Sequence, residues 1–303
     1  MEAKEIGIIG LGRMGLGIGR RLVRKGWKVL GYDRSSEARD KAEEGGIEVF
    51  EEVDFLCGEF SDRRLIWIMV PAPVVDEAIS SLKPNLLEGD IVIDGGNSYY
   101  KDSVRRFNEL SSVGVRFLDV GVSGGVWGEE RGYCLMIGGE EKTFREIEDL
   151  FRDLSYGGDG YGYMGKPGSG HFVKMVHNGI EYGMMQAIAE GFELMKESGF
   201  GLDLKEVARV FTKGSVVSSW LMDLTYRSFE DFGDLEGVEP FVADSGEGRW
   251  TVQAAVELGV PLWVIADSLF NRFRSRQSDS FRDKLLAALR YEFGRHEVKR
   301  KDG

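Results

Sequence analysis

The sequence predicts an α/β first half built on a mostly parallel sheet, followed by an all-helical second half. Three observations carry this. Between residues 4 and 165, short apolar runs alternate with helical patterns, as expected where crossover helices connect strands. A glycine-rich turn, Gly10-Leu11-Gly12-Arg13-Met14-Gly15, separates the first apolar run from the first helical pattern. After Pro167 strand signals nearly vanish and helical segments follow one another to the end. We place the boundary accordingly, with one domain at 1–165 and a second, all-helical, at 166–303.

Lys4 to Gly10 reads as the first buried strand, and Leu16 to Lys25 as the first helix. A G-x-G-x-x-G turn between a strand and a helix is the context of a dinucleotide-binding fingerprint. Gly10 permits the tight turn, Gly12 lets the backbone approach a pyrophosphate, and Gly15 lets the helix pack on the strand. Backbone N–H groups at the helix start then face the phosphates. The first domain is therefore expected to be of the Rossmann type. Its second strand, Trp27 to Tyr32, ends at Asp33, a little over 20 residues beyond Gly10, where this fold places its ribose-binding acid. Asp33 would accept hydrogen bonds from a 2′,3′-diol and repel a 2′-phosphate, favouring NAD. Arg34 could pair with such a phosphate, so NADP stays open.

Leu65 to Val70 is the next strand, closed by Pro71-Ala72-Pro73, whose missing N–H groups end the pairing. Ile91 to Ile93 follows, leading into Asp94-Gly95-Gly96-Asn97-Ser98. Val115 to Val120 leads into Gly121-Val122-Ser123-Gly124-Gly125. Helical patterns intervene at Val74 to Leu82 and Val104 to Ser111. A parallel sheet opens its ligand crevice at the carboxyl ends of its strands, so both glycine-rich turns, with Asn97 and Ser123, fall at that edge. Tyr133 to Ile137 and Gly157 to Met164 add strands, with one helix between them from Lys142 to Asp153.

The second half opens on Gly168 to Gln186, read as a helix carrying most of a catalytic site. At about 100° per residue, Lys174, His177, Asn178, Glu181 and Tyr182 fall within an arc of about 140°. Val173, Met175, Val176, Ile180 and Met184 lie opposite and are expected to bury the helix. Gly179 and Gly183 each cost about 1 kcal/mol relative to alanine in a helix interior, which points to close packing or room for a ligand. Further helices are expected at Lys205 to Phe211, Ser218 to Leu224, Trp250 to Leu258, Pro261 to Arg274 and Phe281 to Phe293. The acidic stretch around 229–240 reads as solvated loop. Cations stand out in Gly248-Arg249-Trp250-Thr251, in Phe270-Asn271-Arg272-Phe273, and from Arg290 to His296.

The net charge of −12 argues against a nucleic-acid partner. Cys57 and Cys134 form no C-x-x-C pattern and are expected as two buried thiols in a reducing compartment. With neither a signal segment nor an apolar run near 20 residues, a cytoplasmic protein with no membrane partner is expected.

Taken together, these motifs resemble the 6-phosphogluconate dehydrogenases. Ile91-Val-Ile-Asp-Gly-Gly-Asn97-Ser, Gly121-Val-Ser123-Gly-Gly, the His171 to Gln186 stretch, Gly248-Arg-Trp-Thr251 and Arg290 to His296 occur in the family's order. The glycine fingerprint is shared by cousin dehydrogenases, whereas the His171 to Gln186 block is highly specific. The resemblance implies oxidative decarboxylation of 6-phospho-D-gluconate to D-ribulose 5-phosphate and CO₂, with reduction of NAD(P) and no metal. It implies that Lys174 takes the C3 hydroxyl proton and then serves as acid toward the 3-keto oxygen, and that Glu181 protonates C1 of the enediol. A lysine works as a base only where its pKa falls from about 10.4 through desolvation or neighbouring cations.

Asn97, Ser123, Gly124, Gly125, His177 and Asn178 would position the sugar acid. Tyr182, Arg249, Thr251 and Arg272 match phosphate-binding positions, with Arg290 and His296 supplied by a neighbouring subunit. Val70, Pro71, Ala72 and Asn97 join the glycine turn, Asp33 and Arg34 as the expected cofactor contacts. Arg249 stands where many members have lysine, which keeps the charge and alters the donor fork. Long members duplicate the helical region, and here Arg290 follows soon after Arg272. This chain is similar to the short members that use NAD, and a homodimer or homotetramer is expected, with partner helices replacing the missing copy.

Two other readings compete with this one. A 3-hydroxyacid dehydrogenase, such as one acting on 3-hydroxyisobutyrate, would share Gly10 to Gly15, Ser123 to Gly125 and Lys174, but has no use for Arg249, Arg272, Arg290 and His296. A non-catalytic nucleotide-binding regulator would need neither Lys174 nor Glu181.

Overall fold

The computed structural model describes residues 4–299. They fall into two compact units that divide between Asn178 and Gly179.

The first unit is built on an eight-stranded sheet. Its strands are β1 (Glu5–Ile9), β2 (Lys28–Tyr32), β3 (Glu48–Phe50), β4 (Leu65–Ile68), β5 (Ile91–Asp94), β6 (Arg116–Ser123), β7 (Cys134–Gly139) and β8 (Tyr161–Gly165). The spatial order is β3-β2-β1-β4-β5-β6-β7-β8, and every pair is parallel except β6 with β7. The first six follow the 3-2-1-4-5-6 order of the dinucleotide-binding fold, with the topological switch between β1 and β4. The connecting helices are α1 (Arg13–Arg24), α2 (Ser36–Glu43), α3 (Val53–Gly58), α4 (Val75–Leu82), α5 (Tyr100–Ser111), α6 (Gly128–Arg131), α7 (Glu141–Glu146) and α8 (Glu148–Leu154).

Strand alternation sorts the apolar side chains into two cores. Ile8, Trp67, Ile91, Ile93, Leu118 and Val120 bury one face of the sheet with Ile18, Leu22 and Phe151. Ile9, Ile66, Ile68, Val92 and Phe117 bury the other with Leu56, Val75, Ile79 and Leu110. Both faces are covered, which explains why the strands read as unbroken apolar runs.

Several local expectations are corrected. The helix expected from Lys142 to Asp153 is two helices, broken at Ile147 (φ −113°, ψ 22°), and Phe144 stacks on Phe151 with ring centroids 5.6 Å apart. The segment from Ser36 to Gly58, left unassigned above, holds α2, β3 and α3; a strand of three residues at the sheet edge offers too short a pattern to read. Of the two cysteines, only Cys57 is buried, and burial pushes its thiol up to about 11. Cys134 is exposed, because it opens β7 opposite Ser123, where the sheet ends.

The second unit is helical. The long helix α9 (Ser169–Glu197) enters it from the first, and α10 (Leu204–Phe211), α11 (Trp220–Phe232), α12 (Glu247–Leu258), α13 (Trp263–Ser275) and α14 (Phe281–Gly294) follow. Side-chain caps start three of them: Asp203, Ser219 and Ser280 accept from the backbone N–H groups of Glu206, Met222 and Asp283. Phe192, Ala208 and Met222 form a small core with Ile188, Val207, Phe211 and Phe229. The acidic stretch is helical as far as Phe232, so that part of the expected loop is corrected. The apolar side of α9 also departs from expectation. Met175 is buried, yet Ile180 and Met184 are 50% and 42% exposed, left uncovered by the described residues.

Candidate active site

In the first unit the glycine turn behaves as its spacing predicts. Gly10 has φ +98°, and a Cβ there would lie 2.7 Å from the Met69 carbonyl oxygen. A Cβ on Gly15 would meet the Gly10 carbonyl oxygen at 1.9 Å. A Cβ on Gly12, the residue before α1, would meet nothing within 4 Å. Gly10 and Gly15 therefore serve the fold, while Gly12 faces open space at a helix N-terminus, where the fold seats a pyrophosphate. Leu11 is buried, Arg13 is exposed and Met14 is half-buried.

Asp33 closes this cradle. Its Oδ2 accepts the Leu11 N–H at 2.8 Å and its Oδ1 accepts the Ser35 N–H at 2.9 Å. Arg34 lies outside it, exposed, 4.0 Å from Glu77. On the other side of the switch point, a Cβ on Gly96 would lie 2.8 Å from the Val70 carbonyl oxygen. The turn carrying Asn97 thus lies against the start of Val70-Pro71-Ala72, and Asn97 itself is exposed. An ion network fixes this turn. Asp94, fully buried, accepts from Arg106 at 3.0 Å and from the Gly96 N–H at 3.1 Å. Arg106 also pairs with Asp76 at 2.7 Å, and the hydrogen bonds from Arg106 and Arg105 hold the Asp76 carboxyl below its usual range.

The first turns of α9 pack on β6 and β7. A Cβ on Gly121 would sit 2.3 Å from Lys174 Cβ, so glycine there admits the lysine stem against the strand. Lys174 is 7% exposed and Asn178 is 9% exposed. Ser123 Oγ lies 3.3 Å from His177 Nε2, and His177 Nδ1 lies 3.0 Å from Asn178 Oδ1. With the amide oxygen as acceptor, Nδ1 carries the proton and Nε2 accepts from the serine hydroxyl. Gly124 and Gly125, both at positive φ, carry the chain away from β6. His171 is turned aside, buried, with Nδ1 2.7 Å from Ser103 Oγ.

The second unit gathers four more of the expected residues. Arg272 stacks on Tyr182, its guanidinium carbon 3.4 Å from the ring centroid, and donates to the Ala243 carbonyl at 2.9 Å. A Cβ on Gly248 would lie 2.6 Å from Tyr182 Cε2. Thr251 is buried, its hydroxyl on the Glu247 carbonyl at 2.8 Å. Gly179 lets Thr251 approach, since a Cβ there would lie 2.9 Å from Thr251 Cγ2, and a Cβ on Gly183 would lie 3.2 Å from Val264 Cγ1. The two helix glycines thus serve close packing. Arg249 and Thr251 lie in the first turns of α12, where a phosphate would find a cation and the positive helix end. Glu181, on α9, is half-buried. Arg290 and His296, on α14 and just beyond it, are exposed.

Residues 5–165 match the model of the NAD binding domain of 6-phosphogluconate dehydrogenase, and 170–302 match that of its C-terminal domain. The chain is 45% identical to the NAD(+)-dependent, decarboxylating 6-phosphogluconate dehydrogenase of Haloferax volcanii, over 98% of this chain and 99% of that one. It belongs to the 6-phosphogluconate dehydrogenase family. The Plasmodium falciparum 6-phosphogluconate dehydrogenase is 30% identical and superposes with a TM-score of 0.83, covering 98% of this chain and 66% of that one. A Mycobacterium tuberculosis 3-hydroxyisobutyrate dehydrogenase, 22% identical with a TM-score of 0.74 over 95% of this chain and 99% of that one, shares the fold.

Within this family frame, the structure adds residues that the sequence reading passed over. Asp244, its side chain 3% exposed, holds Arg249 in a two-pronged pair (Nε to Oδ1 2.7 Å, Nη2 to Oδ2 3.1 Å) and Arg276 at 2.8 Å. These partners, Arg249 first, hold its carboxyl below the usual range. Arg106 and Asp76 are the corresponding omissions around Asn97. Charge pairing of this kind leaves no periodic signal in a sequence. Among the described residues, no group of His, Cys, Asp and Glu is arranged to hold a metal ion, and no helix is long and apolar enough to cross a membrane.

Proposed function

We propose that this chain catalyses the oxidative decarboxylation of 6-phospho-D-gluconate to D-ribulose 5-phosphate and CO₂ with NAD. The observation that carries the reading is a buried lysine, Lys174, whose stem lies on the backbone of Gly121 beside the hydrogen-bonded chain Ser123–His177–Asn178. A lysine held in this fixed position beside hydrogen-bonding side chains is placed to take and return a proton.

A bound NAD would supply the acceptor for the hydride leaving C3. Gly12, the N–H groups at the start of α1, and Asp33 would hold the dinucleotide; Asp33 would repel a 2′-phosphate, and Glu77 lies against Arg34, the cation that could pair with it, so NAD is preferred over NADP. Lys174 takes the C3 hydroxyl proton, leaving a 3-keto acid. It then donates to the 3-keto oxygen as CO₂ leaves, stabilising the developing enolate. Glu181 delivers a proton to C1 of the enediol. Ser123, Gly124, Gly125, His177, Asn178 and Asn97 orient the carboxylate and hydroxyls, and Tyr182, Arg249, Thr251 and Arg272 hold the phosphate.

The working unit is a homo-oligomer, at least a dimer, in which Arg290 and His296 complete a partner's phosphate site. The bare apolar residues of the helical unit support this: Trp263, Val264 and Phe281 are 79%, 66% and 77% exposed, an apolar surface typical of an association face.

The test is reduction of NAD with 6-phosphogluconate, followed by absorbance and CO₂ release, against gluconate and 3-hydroxyisobutyrate. Turnover is expected with the phosphorylated substrate alone, and with kcat/KM at least tenfold higher for NAD than for NADP. Lys174→Ala and Glu181→Ala are each expected to lower kcat by about 10² to 10⁴. Equal turnover of 3-hydroxyisobutyrate would overturn the reading.

A further inference from the structure

We propose that Asp119 is a positioning residue for this reaction: a buried carboxylate on β6 that clamps the start of α9 and thereby sets Lys174 and His177 against Ser123. The inference rests on the role assigned to Lys174 above.

Asp119 is 0% exposed. Its Oδ1 accepts the Gly168 N–H at 2.7 Å and its Oδ2 accepts the His171 N–H at 2.9 Å. Among the described residues no cation pairs with it. A carboxylate removed from water is costly unless its charge is answered by hydrogen bonds. Here the answer comes from N–H groups at the helix start, which have no partner within the helix, and from the positive end of the helix dipole. An ordinary cap is supplied by the residue next to the helix. This one comes from a strand 49 and 52 residues earlier, so it ties one element to another rather than starting a helix.

Glycines strip the contact down to backbone. Asp119 faces Gly138 across the β6–β7 ladder, and a Cβ on Gly138 would lie 2.6 Å from Asp119 Oδ1. A Cβ on Gly170 would lie 2.3 Å from the Asp119 carbonyl oxygen and 2.5 Å from that of Met136. At Gly138 and Gly170, helix and strands therefore meet backbone to backbone, and the carboxylate sets their register there. The geometry then propagates along both elements. Four residues beyond Asp119 on the strand is Ser123; three and six residues beyond His171 on the helix are Lys174 and His177. The Ser123–His177 contact of 3.3 Å marks the far end of the same pairing. Acid-base chemistry tolerates little displacement of its groups.

Asp119→Asn keeps the volume and one acceptor but turns an NH₂ group toward a backbone N–H. We expect kcat on 6-phosphogluconate to fall about 10- to 100-fold while the NAD dissociation constant stays within twofold, because the Gly10–Gly15 turn is untouched. A control matched for loss of melting temperature, Leu150→Ala in the sheet core, should keep kcat. Amide hydrogen exchange across 168–174 should quicken at least tenfold in Asp119→Asn. Unchanged exchange there, or a kcat within twofold of wild type at an equal loss of stability, would overturn the proposal. Wild-type turnover of 6-phosphogluconate is read separately and judges the reaction itself, while the exchange measurement judges the clamp with or without turnover.

Discussion

Arg249 stands in the sequence at a position expected to bind phosphate, and the structure gives it a buried anchor. Asp244 engages Nε and Nη2 of the guanidinium, leaving Nη1 for a ligand and lowering the entropy lost when one binds. Replacing Asp244 by asparagine should raise KM for 6-phosphogluconate about tenfold and leave KM for NAD unchanged, as steady-state kinetics would show. The same carboxyl gives a pH signature. Its folded-state pKa is depressed by Arg249 and Arg276, so its contribution to stability is fully present above the ordinary aspartate value of about 4 and is lost as pH falls through the lower folded value. Urea unfolding should therefore show Asp244→Asn less stable than wild type by about 1 to 2 kcal/mol at neutral pH. That gap should narrow as pH falls below about 4; a gap independent of pH would contradict the assignment.

At the scale of elements, the β1–α1 turn separates structural from binding glycines. Gly15→Ala drives a methyl group into the Gly10 carbonyl, an overpacking that costs about 1 to 3 kcal/mol or more. Gly12→Ala enters open space at φ −63°, a conformation any residue adopts. The expected result is a melting temperature unchanged in Gly12→Ala with NAD affinity at least tenfold weaker, equivalent to about 1.4 kcal/mol, and a lowered melting temperature in Gly15→Ala. Thermal melts and a fluorescence titration with NAD read both. Equal NAD affinity in Gly12→Ala and wild type would mean that the pyrophosphate does not approach this backbone. The neighbouring β5 turn is held differently, by the buried Asp94–Arg106 pair. Removing one member of such a pair strands the other, at about 3 to 5 kcal/mol.

The molecule as a whole leaves much apolar surface bare in its helical unit. The first unit buries both faces of its sheet, whereas the second has a small core around Phe192, Ala208 and Met222. Leu285 and Leu289 on α14 and Val256 and Leu258 on α12 are exposed. Sedimentation velocity should therefore give a dimer or larger species. Trp263→Asp combined with Phe281→Asp should shift it toward monomer and lower turnover together with the association. A fully active monomer would exclude shared phosphate sites.

The sequence by itself determined the alternation of strands and helices in the first half outside residues 36–58, the place of the glycine turn and its acid, and the helix that presents Lys174 and His177. Those features are written in periodicity and short spacings, which a chain displays whatever surrounds it. Only the tertiary structure decided that Asp119 caps α9, that Asp244 anchors Arg249, that Arg106 reaches Asp94, and that Cys134 is exposed while Cys57 is not. Each of these depends on where one segment meets another or meets solvent. Because the energy of a buried charge lies in its partner, a single residue read in line carries no sign of it.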